Sequence, residues 1–115
     1  MKIETHLIDN FKIAEVTSAV PIFRGIEEGL DLLGNLYYQG FDKAVIHEKN
    51  IAPDFFDLKT GIAGEILQKF AQYKMPLVIV GDFTKYESES LKAFIFESNK
   101  GNQINFLTST DDVLQ

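Results

Sequence analysis

Residues 51–70, IAPDFFDLKTGIAGEILQKF, gather the side chains best suited to chemistry. Asp54 and Asp57 are carboxylates that can cap backbone N–H groups or meet a polar ligand. Lys59, Thr60 and Gly61 stand where a helix should begin, and the free N–H groups of a helix start favour an anion or a phosphorylated side chain. Thr60 is the candidate phosphoacceptor. Phe55 and Phe56 either pin the loop to a core or face a partner. The same residues also suit a plain helix entry, since Pro53 presets φ for a turn and aspartates satisfy turn amides.

A second place for chemistry is Asp82, which ends the apolar run LVIVGD and precedes FTKYESES. This reads either as a solvated turn with a helix cap or as a partner-contacting loop, where Phe83 and Tyr86 suit an interface. His47, Glu48 and Asp82 would make an acid–base or metal site if they met. His6 and His47 fall on different strands without metal-ligand spacing, so a hydrogen-bonded structural role is the simpler reading of each. No metal and no cofactor is expected. The sequence holds no GxxxxGK[ST], no GxGxxG after a strand and no GxSxG. The two glycines of GIAGE (61–65) lie within a predicted helix and suit close packing better than a phosphate cradle.

These residues need a scaffold. KIETHLI (2–8) and FKIAEVT (11–17) alternate as strands, the first with Ile3, Thr5 and Leu7 on one face, and Asp9-Asn10 between them signals a hairpin turn. Residues 22–38 carry Ile26, Leu30, Leu33 and Tyr37 at helical spacing, with Gly29 and Gly34 as weak points that would let the helix approach a sheet, and Gly40 as a stop. KAVIHE (43–48) reads as a strand. Residues 60–74 read as a helix with Ile62, Ile66, Phe70 and Tyr73 inward, beside Ala63 and Leu67. LVIVGD (77–82) is apolar enough for a parallel strand covered on both faces. Residues 88–99 read as a helix capped by Ser88, with Leu91, Phe94 and Ile95 inward. INFLTS (104–109) closes the series, and Thr110-Asp111-Asp112 starts a short helix. The order ββαβαβαβ(α) predicts one α/β domain over 1–115, with a mostly parallel mixed sheet and helices packed on it. In such sheets, sites gather beyond the carboxyl ends of the strands.

Composition narrows the function. The chain has 115 residues, a formal charge of −6, and ten Phe but no Trp and no Cys. Disulfides, thiolate chemistry and cysteine zinc sites are excluded. The acidic balance disfavours nucleic acid and leaves a basic or apolar protein partner open. No apolar run approaches the ~20 residues that span a bilayer, so membrane insertion is not expected. The start, MKIETHLIDN, does not read as a leader, and a cytoplasmic location is expected.

The runs APDFFDLKTGIAGEILQKF, LVIVGD and FESNKGNQINFL resemble the bacterial domain-of-unknown-function family 4180 over nearly the whole chain. That likeness implies a small bacterial protein and no particular activity. The element order is also similar to STAS domains of the anti-sigma-factor-antagonist type. In those, a helix start reading Asp-Ser-Ser-Gly-Leu-Gly carries a phosphorylated serine that switches partner binding. Thr60-Gly61 fits the second serine and the glycine, Lys59 falls at the phosphorylated position, and Asp57 is displaced by one. The likeness implies a non-enzymatic regulatory or protein-binding module acting through 52–61 and the Asp82 loop. The alternatives are an apolar small-molecule or lipid-type pocket at the same end of the sheet, and a small enzyme using His47, Glu48 and Asp82. A homodimer is a further expectation.

Overall fold

Asp9 and Asn10 both adopt positive φ, 52° and 69°. Two left-handed residues in a two-residue loop match the twist of a hairpin. They join β1 (Lys2–Ile8) to β2 (Phe11–Thr17) as antiparallel partners, with Ile8 opposite Phe11 and Glu4 opposite Glu15. The computed structural model describes residues 1–114; Gln115, the last residue of the expected 1–115 unit, lies outside them.

The remaining elements are α1 (Ile26–Tyr38), β3 (Lys43–His47), α2 (Ile62–Gln72), β4 (Leu77–Val80), α3 (Glu89–Ser98), β5 (Ile104–Leu107) and the short α4 (Asp111–Leu114). Three 3-10 turns, Glu48–Asn50, Pro53–Phe56 and Leu58–Thr60, fill the β3–α2 connection. The expected mixed α/β architecture is present: a five-stranded sheet in the order β1-β2-β3-β4-β5, antiparallel at β1–β2 and parallel thereafter.

That order decides what covers the sheet. Each parallel crossover steps one strand in the same direction, and crossovers are right-handed. Equal hand and equal direction put α1, α2 and α3 on one face. Leu32, Leu33, Leu36, Ile66, Leu67, Phe70 and Leu91 accordingly share one core with Ala14, Val16, Ala44, Ile46, Leu77, Ile79 and Phe106. The opposite face has a smaller cluster, Ile13, Val45, Val78 and Val80, closed over by Val113 and Leu114 of α4 with Ile8 and Leu107. The run at 77–82 is thus buried on both sides, but full-length helices cover only one of them.

Several boundaries and faces depart from expectation. The first helix starts at Ile26, because Pro21 to Gly25 form a connection in which Ile22 bridges Ile51 and Phe23 holds φ at 59°. Its inward stripe is Gly29, Leu32, Leu33 and Leu36, one residue round from the expected one, so Ile26 and Tyr37 are exposed. Gly29 meets Ile66 of α2 rather than the sheet. In α2 the inward residues are Ala63, Ile66, Leu67 and Phe70, while Tyr73 is exposed and pairs edge-on with Tyr37. Leu7, on the outermost strand, is exposed too. Gly40 provides the expected left-handed stop with φ 81°, and the Ser88 hydroxyl accepts from Leu91 N–H as the expected cap.

Candidate functional site

The carboxyl ends of the parallel strands do collect the 48–61 and 81–88 loops, but the side chains there are largely occupied with the loops themselves. Phe55 and Phe56 are buried, not partner-facing. Phe55 stacks on Phe23 at 5.3 Å, and Phe56 stacks on Tyr86 at 5.0 Å and meets Phe83 at 6.2 Å. Phe83 in turn packs on Phe106. The aromatic residues of both loops therefore tie the loops to the core and to each other, and Phe83 and Tyr86 are half-buried rather than free.

Thr60 closes the loop. Its Oγ1 lies 2.8 Å from the Asp57 carbonyl oxygen and 3.0 Å from that of Asp54, and it accepts from Ile62 N–H at 3.2 Å. The Asp57 carboxylate accepts from Lys59 N–H at 3.3 Å. Gly61 holds φ at 78°, which a left-handed link between the last 3-10 turn and α2 requires. Asp54, Asp57, Lys59, Thr60 and Gly61 are all exposed at the surface. Asp82 is exposed as well and accepts from both the N–H and the hydroxyl of Thr84, at 3.0 and 2.6 Å. Those two bonds, the hydroxyl's the stronger, hold its carboxyl below the ordinary value.

The structure does not bring His47, Glu48 and Asp82 together, as the enzyme alternative requires. Glu48 is buried beneath the Asp82 loop, where it accepts from Lys85 Nζ at 3.0 Å and from the Tyr86 hydroxyl at 2.7 Å. Burial first, then this carboxylate, push the Tyr86 phenol well above its ordinary range. Gly81 lies directly against Glu48 with no room for a Cβ. His47 points to the other face of the sheet.

There it finds the grouping that sequence reasoning missed. Glu15 of β2 lies between two histidines. It accepts from His47 Nε2–H at 2.7 Å on Oε2 and from His6 Nε2–H at 3.0 Å on Oε1. Glu4 Oε2 is 3.4 Å from the same His6 nitrogen. The four residues come from three adjacent strands, on the face that α1–α3 leave bare. The Glu15 side chain is 16% exposed, so the pair is partly shielded from solvent. A sequence signal existed for part of this. A two-residue hairpin turn fixes the register, and that register sets Glu4 opposite Glu15 with His6 on the same face. His47 needed the β2–β3 adjacency, which no local pattern reveals.

The hydrogen bond from His47 is the main cause holding the Glu15 carboxyl below its ordinary value, with His6 adding to it and burial opposing. A carboxylate with a depressed folded pKa binds protons less readily in the folded chain than in the unfolded one. Its contribution to stability is complete above the ordinary value of 4.5 and disappears as pH falls through the lower folded value. Thermal melts of the wild type should therefore show an acid-side loss that Glu15→Gln lacks. Parallel pH curves for the two proteins would show that the Glu15 hydrogen bonds do not couple to folding.

A separate groove of about 290 Å³ lies beyond β2, between the 18–24 segment and α1, lined chiefly by Val20, Pro21, Ile22, Leu32 and Arg24. It is mainly apolar with a charged rim, just under the usual size for a small-molecule site.

The chain matches a known protein family. The profile described as "Domain of unknown function (DUF4180)" covers residues 8–115. Searches of curated proteins and of solved structures give no match.

Proposed function

This chain belongs to the family described as domain of unknown function DUF4180, and we propose that it is a non-enzymatic regulatory binding module that works through the face of its sheet that α1–α3 leave bare. The observation that carries this is the His6–Glu15–His47 grouping. It sets three ionisable side chains on a sheet face whose neighbouring inward positions hold Ile13 and Val45. Natural sequences break the apolar pattern in this way mainly at working sites. The carboxylates of Glu4 and Glu15, together with the net charge of −6, suit a basic protein partner.

The STAS-like reading belongs to the same proposal. One-sided helices on a sheet opened by an antiparallel hairpin support it, and so does the helix-start likeness at Thr60-Gly61. It implies a cytoplasmic bacterial regulator. In that version Thr60 is the phosphoacceptor and the exposed loop residues Asp54 and Lys59 meet the partner. Phosphorylation of Thr60 would remove the proton its hydroxyl shares with the loop carbonyls and so open the loop. The small-molecule alternative is favoured by the groove beyond β2 and moves there from the 52–61 loop.

Affinity capture from source cells, with mass spectrometry, tests these readings against one another. The baits are wild type, a Glu15→Gln/His47→Gln face variant and an Asp54→Ala/Lys59→Ala loop variant, each checked for folding by circular dichroism. A protein kept by the loop variant and lost by the face variant is the expected result. Loss with the loop variant alone moves the working surface to 52–61. Indifference to both variants removes the proposal.

A further inference from the structure

The grouping on the bare face has a feature that hydrogen bonding alone leaves unexplained. Glu4 and Glu15 are directly opposite each other across the β1–β2 pair. Like charges in that position destabilise a sheet. Among the described residues, neither carboxylate has a lysine or arginine partner within ion-pair distance; both face only histidine. The arrangement is therefore short of positive charge whenever the histidines are neutral.

We infer that Glu4, His6 and Glu15 form a binding site for a divalent transition-metal ion of the zinc class, with His47 as a positioning residue. This rests on the reading of the bare face as the working surface and names its ligand. The ligand atoms of Glu4, His6 and Glu15 all lie within 4.8 Å of one another. Zinc bonds of about 2.0–2.1 Å in a tetrahedron place neighbouring ligand atoms about 3.3 Å apart. The observed separations, 3.0 Å from His6 Nε2 to Glu15 Oε1 and 3.4 Å to Glu4 Oε2, bracket that spacing. Three protein ligands leave a fourth position for water.

Binding adds a dication and releases no proton. His6 presents its Nε2 lone pair to the metal, and the proton that Nε2 shared with Glu15 goes to Nδ1, so that the neutral imidazole remains neutral. The metal takes Glu15 Oε1, while Oε2 keeps the 2.7 Å hydrogen bond from His47. A ligating carboxylate held by an outer hydrogen bond is oriented and bound more tightly. The imidazole selects zinc, cobalt, nickel or copper over magnesium and calcium, which prefer oxygen alone. Occupancy replaces a region of two carboxylates with one near neutrality, and so changes what a charged partner meets.

Titration of the tag-free full chain with Zn²⁺ by calorimetry, and with Co²⁺ by visible absorption, tests this. One equivalent of metal should bind, with tetrahedral cobalt bands, and Mg²⁺ in excess should not displace it. Glu15→Gln and His6→Ala should abolish the bands. Glu4→Gln, at an exposed position, should leave the fold intact and weaken binding at least tenfold, and His47→Gln about 10–100-fold. His47→Gln should still show tetrahedral bands at saturation, since the residue orients a ligand and is not one. Absence of binding by wild type, or binding equal in all four variants, overturns the site. A partner lost with the face variant but no metal uptake would leave the bare face as the working surface and remove only the metal. Metal uptake with partner capture indifferent to the face would do the reverse.

Discussion

Phe55→Ala should lower stability by about 3–5 kcal/mol, as expected for emptying the space of a fully buried phenylalanine. Phe55 is 1% exposed and sits midway along a chain of rings that runs from Phe70 through Phe23 and Phe55 to Phe56. Its removal unstacks Phe23, whose backbone is held at φ 59° and which keeps only its edge contact with Phe70 among the rings. Phe56, and through it the Tyr86 loop, loses its backing. Set against a typical total of about 5–15 kcal/mol for a domain, the loss should be visible as a fall in melting temperature of roughly 15 °C. A cycle with Phe23→Ala should give a coupling of about 0.5–1.5 kcal/mol, the usual worth of an aromatic pair beyond its area. A loss below about 1 kcal/mol in denaturant unfolding would show that the loop, not the core, owns this side chain. The substitution probes the fold, so a Phe55 variant is unsuitable for mapping a partner.

The second large effect is expected at Gly29. A Cβ there would lie 2.5 Å from Ile66 Cδ1 and 2.6 Å from Cγ1, and Ile66 is completely buried. Two influences oppose each other. Alanine improves helix propensity by about 1 kcal/mol, while overpacking a tight core costs about 1–3 kcal/mol. The added Cβ would meet Ile66 at Cγ1 and Cγ2 as well as at the flexible Cδ1, so the overpacking should win. Gly29→Ala should be destabilising by about 1–2 kcal/mol, and Gly29→Val by about 3 kcal/mol, as α1 is pushed off α2. Gly34 supplies the control, because nothing lies within 4 Å of its absent Cβ. Gly34→Ala should be stabilising by up to about 1 kcal/mol through propensity alone. If both alanine variants stabilise equally in urea melts, the close α1–α2 contact does not exist in solution.

Local pattern revealed the elements well because each has its own punctuation. Asp9-Asn10, Gly40, Pro76 and Ser88 all mark the ends they were expected to mark, within a few residues. The helix faces were harder. In α1 the competing stripes 26/30/33/37 and 29/32/33/36 differ by one residue, and a glycine on the true stripe weakens its apolar signal while serving the closest contact. The covering of the sheet also escaped local pattern, since it depends on strand order. For the site, the residue types at 54–61 and Asp82 suggested binding, and the structure shows most of them in loop closure. Glu15 sat unnoticed in an alternating strand. Its partners are 9 and 32 residues away, at separations that only the register of three strands converts into contact.

The order in which the strands lie has a further consequence, for how the chain comes to be folded. Each strand borders the one made just before it, so no pairing waits for a segment still to be synthesised. Pairing neighbours closes short loops, which carries a smaller entropic cost than distant closure and favours rapid folding. On a ribosome the hairpin can form first and each βα unit can dock onto an edge already present. The only open edge on that side is the growing one, until β5 ends the series and α4 folds back across the bare face.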